Sequence, residues 1–394
     1  MNDVTRDAER LKLLDQFSLG DLEAVRLILR GDSIIDWRRL SFEEPSEARE
    51  YLLAHELNPA DAADRTRMEH VKSEAVGYLR RQFDYPIPRP VERATVPELM
   101  MLASGKGHRA MCACTILKCM HIIHHVDGRE LLFLLPLSDQ EVFHIVEEKV
   151  YRVIGGMLAD SFPIIEFVGG RKNKDSLITK LLSKQETIAA QIFDKLRFRI
   201  VTKTRDDIFP ILQYLSKRLF PFNYVVPGQS INSVLSFRGY VDKTPLRPLL
   251  AQMQTLGPED RQDYTPNDNQ FSAQEYRIIH FVVDMPVRLP KRILERVPVG
   301  ASPLGNIIFV ICEFQVVDRD TEAHNEVGEA SHAKYKERQK KAVMRRLQLG
   351  GSGDALERPS ERRETPETSE TSGRPERPDT SANMPASQDV RKKK

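Results

Sequence analysis

The chain has 394 residues, of which 40% are hydrophobic and 29% charged, and the charges nearly cancel to a formal +2. That length suits two domains and a tail, while the charge balance argues against a general nucleic-acid binder, which carries a strongly basic face. No run approaches the roughly 20 apolar residues that span a bilayer, the mixed-charge stretch Met1–Leu14 has no secretory apolar segment, and Cys112, Cys114 and Cys119 crowd too closely for a disulfide framework. A reducing cytoplasm, with no membrane partner, is the expected setting.

From Met1 to Arg93 the chain is rich in helix formers, with Phe17, Leu22, Val25, Leu27 and Ile28 spaced for one helix face. Pro86, Pro88 and Pro90 then interrupt any helix, because proline lacks a donor and restricts its neighbour. The stretch 94–160 reads as helices over Pro97–Ser104, Ala110–Ile123 and Asp139–Leu158, the last opened by a Ser138/Glu141 capping box. After Pro163 the texture changes. Strands are expected at Ile164–Val168, Leu196–Val201, Ile278–Val283 and Ile307–Val317, with helices at Lys174–Ala190 and Asp206–Leu219 and a last helical run from Glu322 to Leu349. Strands mixed with helices predict an α/β or α+β sheet domain over 161–349. Residues 350–394 carry no aromatic side chain and too little apolar surface to offset the entropy of ordering, so they are expected to be disordered.

The chemistry-bearing residues lie in the sheet region. Lys172, Lys174, Lys180 and Lys184 follow a strand and the pair Gly169-Gly170. Glycines that admit a close backbone, a helix start and lysine charges together suit phosphates. The Walker spacing is missing, and the same lysines would also suit a solvated helix face. Asp194 precedes the strand Leu196–Val201, and Glu313 lies inside the apolar run Ile307–Val317. A carboxylate there needs a partner or a cation, so the pair reads either as a magnesium site completed by substrate phosphates or as salt-bridged strand residues. Tyr276 and His280 flank a strand start, and His332, Tyr335 and Lys336 share one helix face. A ring can stack on a base while His and Lys meet phosphate.

In their order along the chain these residues resemble the RelA/SpoT alarmone synthetase domain. The family's Lys-x-x-x-Ser-x-x-x-Lys element is similar to Lys172, Ser176 and Lys180, its Asp strand to Asp194 and Arg199, and its Tyr-x-x-x-His to Tyr276 and His280. Its Glu-x-Gln strand is similar to Glu313 and Gln315, and its Glu-x-Gly…His-x-x-Tyr-Lys helix to Glu326, Gly328, His332, Tyr335 and Lys336. The resemblance implies an α+β chain: a mixed β-sheet nucleotidyltransferase-type domain flanked by helices, behind a mostly helical N-terminal region, with an insertion at 237–274. It implies Mg2+ held by Asp194 and Glu313, with Glu313 also activating the acceptor. Lys172, Ser176 and Lys180 would meet phosphates, Tyr276 would stack on guanine, and His280, His332 and Lys336 would line the site beside Arg199 and Gln315. The reaction implied moves pyrophosphate from ATP to the 3′-hydroxyl of a guanosine nucleotide. RNA, as a tRNA 3′ end, is the alternative acceptor, and a nucleotide-sensing module with little activity is a third reading; a homo-oligomer is compatible with all three.

The chain departs from that pattern mainly on the ATP side. Gly170 stands where the family has Arg, with Arg171 adjacent; Gln229 and Ile231 replace two basic loop residues, and Val317 replaces another Arg. Arg238, Lys243 and Arg247 in the insertion are the candidate substitutes. Upstream, Cys112, Cys114, Cys119, His121, His124, His125 and Asp127 cluster without the His-Asp pair of a hydrolase metal site or the paired spacing of a zinc site. Cys112, Cys119, Met120 and Ile123 are expected to face a helical core.

Overall fold

The computed structural model describes residue 14 and residues 17–32, 41–183, 195–253, 264, 271–298 and 300–348. Asp194, Lys184 and the region 350–394 lie outside the described residues. Helix α1 (Leu19–Arg30) starts at a Ser18/Asp21 capping box and ends on Gly31 at φ 68°, a left-handed position that favours glycine. Helices α2 (Pro45–Ala54) and α3 (Ala62–Phe83) follow. α3 stops at Asp84 ahead of the prolines. Then come α4 (Val96–Ala103), α5 (His108–Leu134) and α6 (Asp139–Ala159). The expected capping box opens α6: Glu141 N donates to Ser138 Oγ over 3.3 Å, and Ser138 N donates to Glu141 Oε2 over 2.9 Å.

α5 runs well past the Ile123 end expected from sequence. Nothing breaks it before Pro136, and Gly128 inside it has a packing reason. A Cβ there would meet the Phe309 ring at 2.5 Å and the Ile307 carbonyl oxygen at 2.8 Å. The missing side chain lets the helix lie directly on the sheet. Cys112 and Met120 are buried as expected, while Cys119 and Ile123 are half-buried.

The strands are β1 (Ile164–Arg171), β2 (Leu196–Thr202), β3 (Ile231–Asn232), β4 (Ile279–Arg288) and β5 (Ile307–Asp318). They form a mixed five-stranded sheet in the order β1-β2-β5-β4-β3. Only β2 and β5 pair in parallel, with Arg197 opposite Glu313 and Arg199 opposite Gln315; β4 runs antiparallel to β5 with His280 opposite Gln315. The fold is α+β, with helices around a mixed sheet. Helices α7 (Lys174–Ser183), α8 (Ile208–Arg218), α9 (Arg319–Asn325) and α10 (His332–Gln348) are the longer helices of the sheet region, and short ones lie at Phe237–Val241, Arg247–Gln252 and Lys291–Leu294. The run expected from Glu322 to Leu349 is divided: Asp318 caps α9 by accepting from Asp320 N and Thr321 N, and Gly328 at φ 64° turns the chain before α10.

Strand alternation sorts the side chains of the sheet. Phe198, Phe281 and Phe314 point to one face, where Phe314 meets Phe198, Phe220 and Phe281 at centroid distances of 5.4, 5.3 and 5.5 Å. All four rings are fully buried. Arg197, Arg199, His280, Glu313 and Gln315 therefore share the opposite face. The sequence motifs thus converge because their strands present the same parity, not because they are close in the chain.

Candidate functional site

Glu313 is the centre of that polar face. It is 5% exposed, and a buried carboxylate is costly without partners. Gln315 Nε2 donates to its Oε1 over 2.6 Å, and His280 Nε2 lies 3.4 Å from the same oxygen. The Glu-x-Gln spacing is what makes this possible, because residues two apart on a strand project side by side. His280 Nδ1 is buried with no hydrogen-bond partner among the described residues.

Cations surround the carboxylate. Arg199 forms an ion pair with Glu322 of α9, while Arg197 is exposed beside Glu313. Burial pushes the Tyr276 phenol up, and the charges it feels are those of Arg199, Glu322, Arg197 and Glu313. Burial likewise holds the His332 imidazole below its ordinary range, helped by Lys336, Arg197 and Arg199, with Glu326 opposing. Tyr276 and His332 thus both feel the charges of the same two arginines. Arg197 and Glu322 were missed in the sequence. Arg197 was readable, since β2 alternates Arg197 and Arg199 outward with Phe198 inward; Glu322 becomes visible only once α9 folds back against β2.

The lysine element lies on the adjoining helices. Asn173 Oδ1 accepts from Ser176 N over 2.8 Å and so caps α7. Lys172 precedes the helix, its N–H donating to Lys195 O over 2.9 Å at the start of β2. Lys172, Ser176 and Lys180 are all half-buried. α7 packs on α10, where Gln339 Nε2 donates to Ser183 Oγ over 3.2 Å and Arg346 Nη1 donates to Leu182 O over 2.9 Å. The Ser176/Lys180 helix and the His332/Lys336 helix are therefore one layer. The described residues bring together Arg199, Tyr276, His280, Glu313, Gln315 and His332; Asp194 lies outside them.

The departures from the family pattern also have positions. Arg171 is held on Glu147 of α6 through two contacts of 2.7 and 2.5 Å. A side chain at Gly170 would meet open space, whereas a Cβ at Gly169 would stand 2.6 Å from the Tyr151 hydroxyl. Ile231 pairs with His280 across β3 and β4. Together with Val317, Val201, Ile278 and Tyr276 it forms a small separate apolar cluster. Ile231 and Val317, far apart in the chain, thus belong to one hydrophobic patch with Tyr276. Arg238, Lys243 and Arg247 are exposed.

The histidines of α5 are built into the helical layer. The Asn223 amide donates both to His55 Nε2 over 3.1 Å and to His121 Nδ1 over 3.0 Å. Both rings thus accept, which suits the neutral form. His55 Nδ1 faces Tyr51 O at 2.8 Å. Burial lowers the His55 imidazole to about 4 and that of His121 to about 3. Among the described residues, no group of three or more His, Cys, Asp or Glu is arranged to hold a metal ion. The unfolded chain takes up these protons below about pH 6.5 while the folded chain refuses them. Stability is therefore expected to fall between pH 6.5 and 4, by up to about 1.4 kcal/mol per pH unit for each histidine. Urea unfolding at stepped pH checks this, and His121→Gln is expected to flatten the slope.

No helix among the described residues is long and apolar enough to cross a membrane. No protein-family model matches the chain, and no curated protein matches its sequence. Among solved structures, it is similar to the small alarmone synthetase 1 from Bacillus subtilis, at 16% identity and a TM-score of 0.28 over 53% of this chain and 87% of that one. The same enzyme bound to its product pppGpp gives the same figures. A GTP pyrophosphokinase family protein from Streptococcus pneumoniae is 16% identical with a TM-score of 0.27, over 53% of this chain and 84% of that one. These are distant likenesses, and the site is read from the chain's own residues.

Proposed function

We propose that the polar face of the sheet transfers pyrophosphate from ATP to the 3′-hydroxyl of a guanosine nucleotide. The observation that carries this reading is Glu313, a buried carboxylate held by Gln315 and His280 on a sheet face whose neighbouring strand supplies Arg197 and Arg199. Arginine and lysine suit the phosphates of two nucleotides, and half-buried Tyr276 offers a ring for a base.

In the reaction the acceptor 3′-oxygen attacks the β-phosphorus of ATP, the bond from that phosphorus to the α-phosphate oxygen breaks, and AMP leaves. Glu313 takes the hydroxyl proton, which a carboxylate within hydrogen-bond reach can do. Arg197, Arg199 and Lys336 hold the phosphates and offset charge on the transferring group. Mg2+ suits one or two carboxylates completed by substrate oxygens, so Glu313 fits in kind, with Asp194 as its proposed companion; when bound, the ion neutralises phosphate charge. The four cysteines are free thiols, and the reading carries a reducing, cytoplasmic setting with it.

The test is to incubate the purified chain with Mg2+, labelled ATP and either GDP, GTP or tRNA, and to resolve the products. AMP with a pyrophosphorylated guanosine is the expected outcome. Label on tRNA would move the acceptor to the RNA end, and nucleotide binding without transfer would reduce the site to a sensing module.

A further inference from the structure

We infer that Glu322 is a built-in competitor of substrate: its carboxylate occupies Arg199 in place of a nucleotide phosphate and gives way when the phosphate arrives. The inference rests on the proposed role of the Glu313 face in holding nucleotide phosphates. Arg199 lies on that face, opposite Gln315 across β2 and β5, and its guanidinium is engaged by the Glu322 carboxylate of α9. A guanidinium binds carboxylates and phosphates through the same planar set of donors. The anion that Arg199 meets in the folded chain therefore has the recognition chemistry of the ligand it is proposed to take.

The backbone of Glu322 is fixed, while its charge is poorly accommodated. At the start of α9, Asp318 accepts from Asp320 N, from Thr321 N and, over 2.5 Å, from the Thr321 hydroxyl. At its end the Asn325 amide donates to Arg277 O over 2.6 Å, and Asn325 Oδ1 accepts from Arg277 N over 3.0 Å. Thr321 and Asn325 are both buried. The helix can thus stay in place while the Glu322 side chain, 22% exposed, turns toward solvent. Burial pushes the Glu322 carboxyl up; Arg199 opposes this, and the negative charges of Glu326 and Glu166 add to it. A carboxylate that feels two others is a weaker holder of a cation than an isolated one, and a phosphate brings more charge and more acceptor oxygens to the same donors. Affinity for a ligand falls in proportion to the fraction of molecules able to receive it. A carboxylate that holds Arg199 about four-fifths of the time therefore weakens phosphate binding about fivefold.

Calorimetric titration of the full chain with inorganic pyrophosphate reads this competition without any transfer reaction. Glu322→Gln keeps the shape and removes the charge, and is expected to bind pyrophosphate about fivefold more tightly. Arg199→Ala is expected to weaken binding, and adding Glu322→Gln to it is expected to change nothing further. Glu166→Gln removes an exposed charge outside the ion pair and is expected to shift affinity less than about twofold, because solvent and salt screen such charges. In steady state Glu322→Gln is expected to lower a nucleotide KM with kcat little changed, the mark of a binding effect. The inference is overturned if Glu322→Gln binds pyrophosphate no better than wild type, if neither binds it, if Glu166→Gln gives the same gain, or if the gain survives Arg199→Ala. The expected pattern in a chain that transfers nothing to GDP or GTP would keep the competition and remove the reaction.

Discussion

Glu313→Gln is expected to remove pyrophosphate transfer by about 10²–10⁴-fold, the range lost with a positioned base, while the chain stays folded. Glutamine keeps the shape of the side chain and can still hydrogen-bond to Gln315, so the sheet loses no volume and gains no cavity. What it loses is the capacity to take a proton and to ligate a cation. Nucleotide binding, measured by calorimetry without an acceptor hydroxyl, is expected to change much less, because Arg197, Arg199 and Lys336 are untouched. Full transfer by the variant would remove Glu313 from the chemistry. A matched loss of activity and melting temperature would instead make Glu313 a structural residue.

The second large effect concerns stability. Gly128→Val places two methyl groups where even a Cβ would stand 2.5 Å from the Phe309 ring and 2.8 Å from the Ile307 carbonyl oxygen. The ring can turn only at the expense of its packing on Tyr224, His124 and His125, and the carbonyl belongs to β5 itself. Overpacking of this kind typically costs about 1–3 kcal/mol. Gly155→Val is the control: it is also within a helix, exposed, and open on every side, so its substitution is expected to be nearly neutral. Unfolding free energies from urea titration that differ by less than about 1 kcal/mol between the two variants would mean that α5 does not rest on Phe309 as described.

Much of this architecture was legible in the sequence because it follows from local rules. The β-branched runs located β1, β2, β4 and β5, and the Ser138/Glu141 pair located the start of α6. The two-residue strand β3 was not legible, since Ile231 and Asn232 have no periodicity and become a strand only by pairing with Ile279 and His280. The break between α9 and α10 required knowing that Gly328 adopts a positive φ, which a short helical pattern hides. At the site, residue order gave the motif set, and alternation would have added Arg197. The apolar patch of Ile231, Val317 and Tyr276 could not be read, because residues so far apart in the chain look unrelated until the sheet brings them together. The α5 histidines, a cluster by spacing, are divided by the fold: Asn223 binds His121, Asp284 binds His125 at 2.7 Å, and His124 packs edge-on against Phe309.

The parallel pairing of β2 with β5 has a kinetic consequence. Thr202 and Val317, which meet where the two strands end, are 115 residues apart, and contacts of such span form only after a large loop has closed. During synthesis β1 and β2 can pair as a local hairpin-like unit, but the other edge of β2 stays open until nearly all of the sheet region has left the ribosome. An open strand edge invites the wrong partner. The polar outward residues of β2, Arg197 and Arg199, are then its protection: two adjacent outward cations disfavour association of one unfinished chain with another. The charges proposed to hold phosphate in the finished protein would thus keep the nascent one from aggregating.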